Sequence, residues 1–331
     1  MNFRTSIPPI SSSSSIHLGD TILLAGSCFA EEIGIKLKKY KFFTENNPFG
    51  NIFNPLSLFG LLHASLSGEA LAPSRYVQRE GMWTHFDVHS QLHAPTQPAL
   101  ETLIGERMAA TAKHLQQPGF VFLTLGTAWV YRLRADGQTV ANCHKIPASA
   151  FEKILLTPEQ IVDAFDQLYA ELPAQTQIVL TVSPVRHLKD TLPLNAVSKS
   201  VLRLACHYLA EKHPNVQYYP AFELLTDDLR DYRFYQPDMI HPSVVAVDYI
   251  WEHFSDTFLS DSARAFVGKW HNISSMLQHR SLQTGTAAHR DFLEKLLATL
   301  EAITEVSVSA EINEVREQLA KFFPPPTQSP A

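Results

Sequence analysis

The sequence predicts an α/β domain with a parallel sheet over residues 1–262, followed by a helical extension over residues 263–331. Three observations carry this reading. Short apolar runs at 22–24, 120–125, 178–182 and 216–219 alternate with helix-like patterns up to about residue 260. Right-handed crossovers between such strands lay them parallel. Beyond residue 260 no strand pattern remains, and helical periodicity covers roughly 263–278, 285–303 and 308–322. Finally, 45% of the 331 residues are hydrophobic and 18% charged, a globular composition long enough for a large core.

Taken in order, residues 1–18 read as an extended lead-in with Pro8, Pro9 and the Ser11–Ser15 run. Ile22 to Leu24 form a buried strand that stops at Ala25-Gly26, and Glu31, Glu32, Ile33, Ile35 and Leu37 begin a helix reaching about Tyr40. Asn, Pro and Gly crowd residues 46–55, which marks a structured loop. Residues 56–66 and 99–116 are helical. Between them the pattern is less regular, apart from an alternating strand at 83–89 with His85 and His89 on one face.

The strand at 120–125 ends at Gly126-Thr127, and residues 129–133 and 139–142 flank a turn at Asp136-Gly137. Thr157, Pro158 and Gln160 spell a helix start, with Thr at N-cap, Pro at N1 and Gln at N3, for a helix to about Leu172. Ser183 to His187 follow the strand at 178–182. Helices are expected at 198–212, 221–229 and 244–259. In the extension, Leu293, Leu296, Leu297 and Leu300 form a stripe that needs a partner surface. About 70 residues make a marginal core alone, so the extension is expected to pack on the main domain or a second subunit. Pro324-Pro325-Pro326 closes the ordered chain.

Composition excludes several functions. The net charge is −6 with no basic stripe, which argues against nucleic acid and against an acidic membrane surface. No apolar run is long enough to span a bilayer. Cys28, Cys143 and Cys206 are too few and too scattered for a disulfide framework or a CxxC zinc site. With no apolar leader segment, they point to a reducing, cytoplasmic location. No GxGxxG follows a strand and no GxxxxGK[ST] occurs, so nucleotide binding has no support. His85, Asp87 and His89 lack a third converging ligand, and no metal is expected.

In a parallel sheet, functional loops gather at the carboxyl ends of the strands. Four such loops carry reactive or polar residues: Ser27-Cys28, Gly126-Thr127, Ser183 to His187, and Asp238 to His241. The first turn presents a hydroxyl and a thiol beside the free N–H groups of a helix start, or is a plain junction with a small buried Cys. Asp238, three residues before His241, fits an acid–base pair. Arg186 and His187 suit an anionic substrate group or an exposed loop. Trp83, Phe86, Trp129 and Tyr131 are candidates for a sugar or acyl pocket, or for core.

The string Gly26-Ser27-Cys28-Phe29-Ala30 resembles the signature of the GSCFA family. Further matching segments are Phe86 to Ser90, Leu125 to Tyr131, Asn142 to Lys145, Thr181 to His187 and Asp238 to Ser243, together spanning about residues 20–255. That family is related by sequence to the SGNH (GDSL-like) hydrolases. The resemblance implies a flavodoxin-like three-layer sandwich, and ester hydrolysis or O-acyl transfer without metal or organic cofactor. It puts Cys28 at the nucleophile position, with Ser27 as the alternative if the turn shifts by one, and Asp238 and His241 as its partners.

Gly50, with Asn51 beside it, best matches the block that supplies a Gly amide. The block that supplies an oxyanion-hole Asn reads Gly126-Thr127-Ala128-Trp129 here and lacks it. Asn51, Thr127, Asn142 and His144 are the candidate substitutes. The expected partner is a small-molecule acyl ester or acylated sugar; the sequence leaves the oligomeric state open. The competing reading is a non-catalytic carbohydrate- or ligand-binding protein on a hydrolase fold.

Overall fold

Residues 4–10, 12, 14–279 and 284–324 are described by a computed structural model. Ser11, Ser13, Pro325 and Pro326 lie outside them. The chain divides into two units, one of residues 1–14 and 19–258, the other of 15–18 and 259–331.

The first unit is built on β1 (Ile22–Gly26), whose five residues are all buried. It is followed by α1 (Cys28–Lys39), β2 (Thr44–Asn46) and α2 (Pro55–Ser67). A hairpin of β3 (Tyr76–Arg79) and β4 (Met82–His85) leads to α3 (Gln97–Leu115) and β5 (Phe120–Leu125). An antiparallel trio, β6 (Trp129–Leu133), β7 (Thr139–Val140) and β8 (Phe151–Leu155), precedes α4 (Pro158–Glu171) and β9 (Gln177–Val182). The unit closes with α5 (Thr191–Lys212), β10 (Val216–Tyr218), the short α6 (Ala221–Glu223) running into a π turn at Leu224–Leu229, and α7 (Val244–Phe258).

The central sheet has the order β10-β9-β5-β1-β2, and every pair in it is parallel. The order reverses between β1 and β5, the switch point outside which doubly wound sheets bind ligands. Both faces are covered, which is why the strands read as unbroken apolar runs. Leu23, Ala25, Val121, Leu123, Leu125, Leu180 and Val182 face one core with buried residues of α2 to α5. On the opposite face the Phe122 ring lies 5.2 Å from Phe254 and 5.3 Å from Phe258 of α7. The result is a three-layer α/β sandwich.

The Thr157 start forms as a complete capping box: the Gln160 amide donates to Thr157 Oγ1 at 3.3 Å and Thr157 N–H to Gln160 Oε1 at 2.9 Å. Other elements depart from the sequence reading. The strand expected at 83–89 ends at His85, and residues 86–89 turn away. α5 starts at Thr191, seven residues before the expected 198. Residues 221–229 are mainly a π turn. β2 and β8 carry no strand signature in the sequence. Thr44-Glu45-Asn46 is polar and becomes a strand only by pairing with the edge of β1; β8 is held by its antiparallel pairing with β6.

In the second unit, Ile16 bridges Leu259, and α8 (Asp261–Gln278), α9 (Ala287–Glu301) and α10 (Ser309–Phe322) follow. α9 packs on both neighbours. Leu293, Leu296 and Leu300 are buried and Leu297 is half-buried. Among the described residues no helix is long and apolar enough to cross a membrane.

Candidate active site

The site begins where β1 stops. Gly26 has φ +133°, and a Cβ there would lie 2.1 Å from the Thr124 carbonyl oxygen, so only glycine fits. Its N–H donates to Asn47 Oδ1 at 2.9 Å. Ser27 N–H donates to the Thr124 carbonyl at 3.0 Å, which ties the turn to β5. The Ser27 hydroxyl accepts from Phe29 N–H at 3.3 Å and caps α1; the residue is buried. Cys28 is the first residue of α1 and is half-buried.

A cavity of about 490 Å³ opens here, lined among others by Cys28, Asn51, Thr127, Arg186, His187 and His241. It joins the loops after β1, β5 and β9 with the loop before α7. His241 Nδ1 lies 2.6 Å from Asp238 Oδ2, while Asp238 Oδ1 accepts from Ile240 N–H at 2.9 Å and His241 N–H at 3.0 Å. The His241 ring and these two amides hold the Asp238 carboxyl down to about 2. With Nδ1–H donating to the carboxylate, Nε2 is the free acid–base atom of His241.

The other cavity residues are held for reasons the geometry makes plain. Arg186 stacks its guanidinium 3.9 Å from the Tyr235 ring centre and donates to the Met239 carbonyl at 3.3 Å, so its charge braces the Asp238–His241 loop. His187 sits edge-on to Phe53; its Nε2 is buried without a partner. Burial first, then the Lys199 and His241 charges, lower its pKa to about 4, against the opposing pull of Asp190, and the ring is neutral at pH 7. Asn51 Oδ1 accepts from Asn47 Nδ2 at 2.7 Å, which orients the amide and turns its Nδ2 the other way. Burial raises the Cys28 thiol pKa; its own backbone N–H lowers it, Glu31 and Glu32 raise it, and Lys199 lowers it.

The remaining candidates are committed to other partners or lie outside the cavity. Gly50 N–H donates to the Asn47 carbonyl at 2.8 Å, which commits the amide expected to hold an oxyanion. Its glycine is required because φ is +74° and a Cβ would meet His89 Cβ at 2.5 Å. The Gly126 and Thr127 amides both donate to the Phe53 carbonyl, at 2.8 and 3.0 Å, and clamp the 46–55 loop. Thr127 Oγ1 is shared with Ser198 Oγ at 3.1 Å. Asn142 Oδ1 accepts from His144 N–H at 2.8 Å, and His144 Nε2 donates to the His85 carbonyl at 2.7 Å; neither lines the cavity. His85 bonds Ala72 and Asp87 backbone groups, at 3.1 Å each. Among the described residues no group of three His, Cys, Asp or Glu side chains is arranged to hold a metal.

One residue escaped the sequence reading. Lys199 of α5 is 2% exposed, and its Nζ donates to the carbonyls of Gly126 at 2.7 Å and Ser183 at 2.8 Å. Burial lowers its pKa to about 7, with Cys28 pulling the other way. Leu125 pairs with Val182, so the next residues, Gly126 and Ser183, stand side by side in one row at the ends of β5 and β9. Lys199 crosses that row. Its signal was present: it lies on one helical stripe with Leu202, Cys206 and Leu209.

The family match agrees in extent with this unit: the GSCFA family covers residues 21–254, from the start of β1 into α7. The chain belongs to the GSCFA family. A second match, to the GSCFA domain protein C-terminal domain, covers residues 270–321, within α8 to α10. No curated protein and no solved structure matches the chain. Every residue lining the cavity falls inside the GSCFA match.

Proposed function

We propose that this GSCFA protein is an acyl-ester hydrolase or O-acyltransferase of the SGNH type with Cys28 as nucleophile. The observation that carries the proposal is that Cys28 and His241 line one cavity while His241 is already bonded to Asp238. The position of that cavity at the switch point of the sheet supports the same reading. Ser27 is the weaker candidate because its hydroxyl is buried in the cap of α1.

In this mechanism Cys28 Sγ attacks the ester carbonyl carbon, and His241 Nε2 takes the thiol proton during the attack. The proton transfer is needed because burial, with Glu31 and Glu32, keeps the resting thiol protonated. Asp238 steadies the imidazolium. The oxyanion accepts from the Cys28 N–H, which has no intrahelical acceptor at the first turn of α1, and from Asn51 Nδ2. Collapse breaks the C–O bond, and His241 returns the proton to the leaving alcohol. Water or a second alcohol then attacks the acyl-cysteine with His241 again as base; the C–S bond breaks, and His241 returns that proton to the Cys28 thiolate.

A ligand-binding protein on the same fold is the second reading, favoured by the raised thiol pKa and the committed Gly50 amide. Covalent trapping separates the two. A fluorophosphonate or an activated ester should label Cys28 in the native protein, and labelling should be lost in Cys28→Ala and suppressed in His241→Ala. Equal labelling of the native and His241→Ala proteins would remove the catalytic reading.

A further inference from the structure

We propose that the cavity selects an apolar acyl chain and not an acylated sugar; this rests on the acyl-transfer reading of the same site. The reason is the state of the polar side chains around it. A sugar needs several donors and acceptors that are free to turn to it, because a buried unpaired hydroxyl is costly. Here many of them are engaged by the protein. Asn54 donates to Ser57 Oγ and the Val140 carbonyl, at 3.0 and 3.1 Å, and accepts from Ser57 N–H at 2.9 Å. Thr127 Oγ1 meets Ser198 and accepts from Trp129 N–H at 3.1 Å. The Trp129 indole N–H donates to the Leu194 carbonyl at 3.2 Å. Asp190 is paired with Lys153, and Arg186 donates one N–H to the Met239 carbonyl and stacks on the Tyr235 ring, with its other N–H groups at the charged edge of the cavity.

With these subtracted, Cys28, Asn51 and His241 serve the reacting carbonyl, and the one buried ring nitrogen of the lining left without a partner is His187 Nε2, fewer groups than a sugar's hydroxyls need. The Tyr131 hydroxyl and Lys189 remain on side chains exposed to solvent. What the cavity otherwise offers is Phe53, Val130, Val140, Ala141, Val185 and Ile240. Its loops also carry Leu188 and Met239, 42% and 43% exposed, as apolar surface beside the opening.

The test uses a series of N-alkylmaleimides, from ethyl to octyl, on the full-length protein, with adducts at Cys28 and Cys143 quantified by mass spectrometry. Cys143 is half-buried and absent from the cavity lining, and serves as the internal standard. The Cys28-to-Cys143 rate ratio should climb with each added methylene, by up to about fourfold per group, and level off near the cavity's length. A flat or falling ratio overturns the proposal. Ala141→Leu, which narrows the cavity outside the catalytic groups, should move the plateau to shorter chains; an unmoved plateau also counts against it.

Hydrolysis of p-nitrophenyl esters from acetate to decanoate should follow the same profile, and faster turnover of a peracetylated glucose than of octanoate overturns the proposal. If the maleimide profile holds while no ester is turned over, the catalytic reading fails and the chain-binding cavity stands.

Discussion

Lys199→Met keeps most of the apolar stem of this side chain and removes the ammonium that bridges Gly126 and Ser183. Two opposed effects follow at low pH. The buried charge and its desolvation cost are lost, while two carbonyls lose their donor at about 1–3 kcal/mol each. The net change at pH 6 is therefore modest. The pH dependence is sharper. The folded pKa is about 7 against an ordinary 10.5, so between those values the unfolded chain carries a proton on Lys199 that the folded chain lacks. Unfolding then takes up a proton, and rising pH favours the fold. Each pH unit inside that window is worth up to about 1.4 kcal/mol. Below pH 7 both states are protonated and the contribution is level.

The native protein should accordingly gain on Lys199→Met by about 2 kcal/mol between pH 7 and pH 9. Urea unfolding of both proteins at pH 6, 7 and 9 measures the gap, and groups that titrate alike in the two cancel. A gap that stays constant across the series would mean that Lys199 titrates as an ordinary lysine. The structural account of its burial and of its coupling to Cys28 would then be wrong.

Further outcomes follow from the same geometry. Asp238→Asn keeps an oxygen for the Ile240 and His241 amides but cannot accept from Nδ1–H, so kcat should fall by about three to four powers of ten with KM little changed; near-native kcat would remove Asp238 from the mechanism. Asn51→Ala should lower kcat by about two to three powers of ten at unchanged KM, whereas His144→Ala should spare kcat and lower Tm, because His144 holds the His85 carbonyl. The reverse pattern in the two variants would return the oxyanion role to the 142–145 segment. Gly26→Ala forces a Cβ onto the Thr124 carbonyl, and soluble expression should collapse or Tm drop steeply; a native melting curve would refute the clash.

Local chemistry explains what could be read from the sequence alone. β1, β5 and β9 are buried on both faces and announce themselves as continuous apolar runs. The Thr157 capping box closes within four residues, and Asp238 and His241 meet within one tight loop, so both depend on spacing and little else. The Gly26 turn is legible for the same reason. Tertiary structure decided the rest, because it turned on partners far away in the chain. Thr44 to Asn46 became a strand only against β1. Of the candidate oxyanion donors, Asn51 lines the cavity because Asn47 orients it and the Gly126 and Thr127 amides clamp its loop, while His144 is drawn off to His85. Lys199 reads as a misplaced charge on an apolar stripe until parallel register sets Gly126 and Ser183 side by side and gives its ammonium two carbonyls to hold.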